Sequence, residues 1–157
     1  MNNPYRAGLL ARPGTYLLWM QLGTSLRVRV GGLGPVGFPA GNYGYVGSAF
    51  GPGGIAARLG RHLRLNKSQR WHVDYLSGAA KPRAVWVSYD EARYEHRWAA
   101  TLAALPGARV PVAGFGSSDC GCPTHLVWFR RPPSLQVFRA ACTPEAPGIE
   151  VISRICG

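Results

Sequence analysis

The stretch GTYLLWMQLGTSLRVRV, Gly14 to Val30, decides how the chain is read. Its first nine residues form an apolar, β-prone run that reads as a strand. Leu26-Arg27-Val28-Arg29-Val30 alternates strictly, the pattern of a second strand with one wet face. Gly23-Thr24-Ser25 between them suits a hairpin turn. Working outward, Gly31 to Gly41 is a Gly/Pro-rich loop, and NYGYVGS, Asn42 to Ser48, is a third short strand. Gly51-Pro52-Gly53-Gly54 breaks the chain, and Ile55 to Leu65 then reads as a helix. Ile55, Leu59 and Leu63 share one stripe of it, and Arg58 and His62, four apart, share a face beside that stripe. Trp71 to Leu76 suggests a short helix or turn, Ala84 to Tyr89 a strand, and Asp90 to Leu105 the longest helix, stopped by Pro106-Gly107.

Leu126 to Phe129 is the last core strand. Beyond Arg130-Arg131-Pro132-Pro133, Leu135–Ala140 and Ile149–Ile155 suggest a hairpin. Three strands arrive before any helix. The expected fold is therefore α+β, a small, mainly antiparallel sheet of three to four strands flanked by helices. The expected division is an N-terminal lead-in at 1–13, the main domain at 14–131 and a C-terminal extension at 132–157.

A chain of 157 residues suits one domain. With 46% apolar and 16% charged residues, disorder is excluded for most of it. Lys and Arg number 18 against 7 acids, a net charge of +11, and the first acid is Asp74. Such a field attracts polyanions, which makes DNA the expected partner. No apolar run spans a membrane. The N-terminal Met1-Asn2-Asn3-Pro4 lacks the apolar core of a secretory signal, so a cytoplasmic location is expected. In a reducing compartment, Cys120, Cys122, Cys142 and Cys156 are expected as thiols or metal ligands rather than bridges.

Gly14-Thr15-Tyr16, then Tyr45-Val46-Gly47, then Arg58 on a helix and Glu95 on a later helix form an ordered set. That order resembles the GIY-YIG nuclease superfamily. Further blocks (FPAGNYGYVGSAFGPGG, RLGRHLR, WHVDYL, LAALPGAR and GFGSSDCGCPTHL) resemble an uncharacterised branch of it, sometimes fused to endonuclease III-type glycosylases. The resemblance implies a metal-dependent DNA endonuclease acting in repair or processing, with a repair glycosylase as a further partner. It implies Tyr16 or Tyr45 as general base, Arg58 on the phosphate, His62 beside the water and Glu95 on Mg²⁺ or Mn²⁺. The alternative is a non-catalytic nucleic-acid-binding module on the same scaffold.

The residue types suit that chemistry. Phosphodiester hydrolysis needs an activated water, neutralised phosphate charge and help for the leaving oxygen. One carboxylate such as Glu95 can hold a Mg²⁺ that keeps several waters. The Arg58 guanidinium can fork onto phosphate oxygens, which a lysine cannot do. A tyrosine takes a proton only if its pKa falls, and a nearby Arg or metal pushes it that way. Arg61, Arg64, Lys67 and Arg70 are expected to grip phosphates. A second cluster, Asp119, Cys120, Cys122 and His125 with His72, has donors suited to Zn²⁺. Its alternatives are a tight structural loop or an extra wall of the active groove.

Overall fold

The computed structural model describes residues 8–63, 72–116, 124–142 and 149–153. Its elements run β1 (Gly14–Leu22), β2 (Leu26–Arg29), β3 (Pro35–Phe38), β4 (Gly41–Ala49), α1 (Gly54–His62), α2 (His72–Ser77), β5 (Lys81–Ser88), α3 (Glu95–Ala104), β6 (Leu126–Phe129), α4 (Leu135–Cys142) and β7 (Ile149–Ser153). The fold is α+β. The main sheet is antiparallel throughout, in the order β6-β4-β1-β5-β7, so the C-terminal segment adds an edge strand to four from the body of the chain.

β1 is the middle strand because it is apolar on both faces. Tyr16, Leu18 and Met20 point to one side and pack with Ile55 and Leu59 of α1 and Val73 and Leu76 of α2. Leu17 and Trp19 point to the other and pack with Trp98, Ala99 and Leu102 of α3 and Phe138 of α4. The second layer is locked by aromatic edges. Trp98 meets Phe138 at 5.5 Å and 88°, and Trp19 meets Trp86 at 5.5 Å and 70°. Such contacts add to the area buried.

Several elements differ from expectation. β1 and β2 form no hairpin, because both edges of β1 are taken by β4 and β5. β2 pairs instead with β3, a strand inside the stretch expected to be loop, and the two make a separate ribbon. The longest helix begins at Glu95 rather than Asp90. Asp90 Oδ1 accepts the Ala92 N–H at 2.9 Å, and the Tyr94 N–H donates to Thr15 Oγ1 at 3.3 Å. These local bonds hold 90–94 in a turn.

The expected C-terminal hairpin is absent: Leu135–Cys142 is a helix, and β7 pairs with β5. Leu135, Phe138 and Cys142 recur at helical spacing, and Phe138 and Cys142 are buried. The described part of the lead-in is docked. The Leu10 and Arg12 carbonyls accept the Ala56 and Ile55 N–H groups at 3.0 and 2.9 Å, closing the start of α1. No helix among the described residues is long and apolar enough to cross a membrane.

Candidate functional site

β6 pairs with β4 only as far as Tyr45–Leu126, with one further bond from the Val46 N–H to the His125 carbonyl. β4 runs on to Ala49, and beside this end a cavity of about 340 Å³ opens. Tyr16, Tyr45, Arg58 and Glu95 all line it, with Ser48, Phe50, Arg93, His96 and His125 completing the walls. Four of the five side chains expected to act together thus share one concavity. The fifth, His62, lies directly behind it, with Nε2 at 2.7 Å from the Tyr16 hydroxyl.

Strand register explains the tyrosines. Tyr16 sits opposite Gly47, and Tyr45 opposite Leu18, so both phenols rise on the α1 side of the sheet. Their ring centroids are 6.4 Å apart, and His62 lies 5.7 and 6.0 Å from the two rings. Gly47 makes room for the first: a Cβ there would fall 2.4 Å from the Tyr16 hydroxyl. Gly116, at φ +71°, does the same for Tyr45, whose ring would stand 2.9 Å from an added Cβ.

Glu95 reaches the cavity from the first turn of α3. Its Oε2 accepts the Ser48 hydroxyl at 2.7 Å, and its Oε1 lies 3.1 Å from His125 Nδ1. Burial alone would raise its pKa. His125 Nδ1 beside Oε1, the hydrogen bond from Ser48 and the nearby His96 outweigh burial and hold it below the usual carboxylate value. Glu95 is therefore ionised at neutral pH. Each carboxylate oxygen keeps a second lone pair, so Glu95 fits a divalent cation held by one carboxylate and waters. It does not fit an all-protein cage, since no group of three or more His, Cys, Asp or Glu suited to a metal exists among the described residues. Glu91, four residues earlier and outside the helix, is exposed and does not line the cavity.

Both phenols are shifted in the direction opposite to the one a free tyrosinate base needs. Burial raises Tyr16 most, Tyr45 raises it further, and Arg58 only partly opposes them. Burial likewise pushes Tyr45 up, with Glu95 adding to the effect and Arg58 countering it.

Two other expectations change. Arg61 does not simply face outward as a phosphate grip: its Nη1 donates to both Asp74 oxygens at 3.0 Å, and its side chain is 16% exposed. Arg64, Lys67 and Arg70 lie outside the described residues, as do Asp119, Cys120 and Cys122. The two histidines of that second cluster serve different partners. His125 meets Glu95, whereas His72 Nδ1 accepts the Gly116 N–H at 2.8 Å. His72 thus pins the loop that covers Tyr45, helped by Phe115, which contacts both rings.

Sequence reasoning missed Ser48, Phe50, Arg93 and His96. Arg93 and His96 flank Glu95 in sequence, a signal that was present. Ser48 and Phe50 enter because β4 runs on past its last pair with β6, and the Arg93 guanidinium lies over the Phe50 ring at 4.3 Å.

A family model described as a domain of unknown function, DUF123, matches residues 15–145. The chain belongs to that family. This corrects the resemblance to the GIY-YIG nucleases: the family matched is one of unknown function, and nothing links it to that superfamily. The glycosylase partner rested on the same resemblance and loses that basis. No curated protein and no solved structure matches the chain.

Proposed function

We propose that this DUF123 protein is a metal-dependent phosphodiesterase that cuts DNA. The observation that carries the reading is one cavity holding a cation-competent carboxylate, a guanidinium and a phenol backed by an imidazole. The net charge of +11 supports a polyanionic substrate.

Glu95 would hold Mg²⁺ or Mn²⁺, which when bound supplies Lewis-acid neutralisation of phosphate charge. Arg58 forks onto non-bridging phosphate oxygens. Tyr16 need not exist as a tyrosinate. As a water oxygen bonds to phosphorus, its proton passes to the Tyr16 oxygen, and the phenol's own proton passes to His62 Nε2, 2.7 Å away. The P–O ester bond breaks, and the leaving oxygen takes a proton from solvent. This hand-over is compatible with a raised phenol pKa, because the charge comes to rest on the His62 imidazole rather than on the phenol.

The test is cleavage of single-stranded, duplex and branched oligonucleotides with Mg²⁺ or Mn²⁺. Glu95→Gln and Arg58→Lys should each lower kcat by roughly 10²–10³. A second reading, a non-catalytic binding module, is favoured by one observation: both Glu95 oxygens already have protein partners. Salt-dependent DNA binding with no cleavage of any substrate would leave that reading standing and remove the first.

A further inference from the structure

Asp74, on α2, is a buried carboxylate that touches neither the cavity nor solvent. Its side chain is 0% exposed, Arg61 donates to both its oxygens, and its Oδ1 lies 3.9 Å from His62 Nδ1, an electrostatic contact longer than a hydrogen bond. Burying a carboxylate is costly, and a buried ion pair can often be replaced by apolar residues with no loss of stability. Packing alone therefore gives weak reason for it. Its position gives a stronger one. It stands on the Nδ1 side of the imidazole whose Nε2 faces Tyr16, so the three groups form a line from the interior to the cavity wall.

We infer that Asp74 is a positioning residue for His62: its charge, 3.9 Å from Nδ1, favours the tautomer with the proton on Nδ1, so that Nε2 is open to the Tyr16 hydroxyl. Arg61 holds the carboxylate in place by its paired bonds. The catalytic consequence rests on the phosphodiesterase reading; the tautomer does not. In the hand-over, the O–H bond of Tyr16 breaks as an N–H bond forms on His62 Nε2, and the imidazolium so formed faces the Asp74 charge. After product leaves, that proton returns to solvent.

A separate cavity of about 80 Å³ borders His62, with Ser77 in its wall. The Ser77 hydroxyl is buried with no hydrogen-bond partner among the described residues, which marks a polar point in an otherwise largely apolar lining.

The experiment is long-range ¹H–¹⁵N correlation of the histidine ring nitrogens in the full chain, without substrate. The expected result is His62 protonated on Nδ1 and bare on Nε2, with Asp74→Asn moving the proton toward Nε2. Asp74→Asn should also lower kcat by roughly 10²–10⁴ with KM little changed. Wild-type His62 protonated on Nε2 overturns the inference, and this holds even if Asp74→Asn does not fold. So does an unchanged tautomer in a folded Asp74→Asn protein. If the wild-type chain cuts no DNA but the tautomer behaves as stated, the positioning role stands and only the phosphodiesterase reading falls.

Discussion

Gly47→Ala tests the geometry of the site without assuming what it does. Gly47 lies in extended strand opposite Tyr16, so alanine meets no backbone objection. The obstacle is the ring: the new Cβ would stand 2.4 Å from the Tyr16 oxygen and 2.5 Å from Cζ. Reaching ordinary contact takes a displacement of about 1 Å, enough to break the 2.7 Å bond to His62. Overpacking costs about 1–3 kcal/mol. Stripping a buried polar group of its partner costs about 1–3 kcal/mol more. The lower chain entropy of alanine returns about 0.4–1 kcal/mol. Net destabilisation of about 1–5.5 kcal/mol is expected.

Urea unfolding, followed by the fluorescence of the five tryptophans, measures it. Combining Gly47→Ala with Tyr16→Ala should recover about 2–6 kcal/mol of the summed losses, since with the ring gone neither the clash nor the loss of the His62 bond is felt a second time. Displacement of the phenol by this much should also cost roughly 10²-fold in any rate that depends on it. The reasoning fails if Gly47→Ala unfolds within about 0.5 kcal/mol of the wild type, or if the two substitutions are simply additive.

Two further outcomes are expected. His72 accepts a backbone N–H, so it must be neutral to hold the 114–116 turn. Burial lowers its pKa below the ordinary 6.5, so its contribution to stability is complete above that value and is lost as pH falls towards the folded-state pKa. His72→Gln should flatten stability over that acidic window in a pH series of thermal melts. Phe138→Ala should destabilise the fold by about 3–5 kcal/mol, because its ring is wedged between Trp86 and Trp98. An unchanged urea midpoint would mean that α4 is not part of the core.

Strand and helix types were legible wherever one periodicity held over many residues. GTYLLWMQL could only be a covered strand, and Ile55, Leu59 and Arg58 could only divide a helix into inner and outer faces. Periodicity fixed only the faces that Tyr16, Tyr45 and Arg58 occupy; their choice as site residues came from an ordered resemblance that the family match does not support. Chain composition likewise set the basic field. Partner choice was not legible. Which strand edge β2 would find depended on β4 and β5 having already filled both sides of β1. Leu135–Ala140 carries apolar residues compatible with either period, and only the space between Trp86 and Trp98 selects the helix that inserts Phe138. Arg61 looked like surface charge until α2 brought a buried carboxylate beside it. Local sequence sets backbone preference through short-range sterics and periodicity. The environment of a charge or a phenol is set by groups dozens of residues away, which meet only when the layers close.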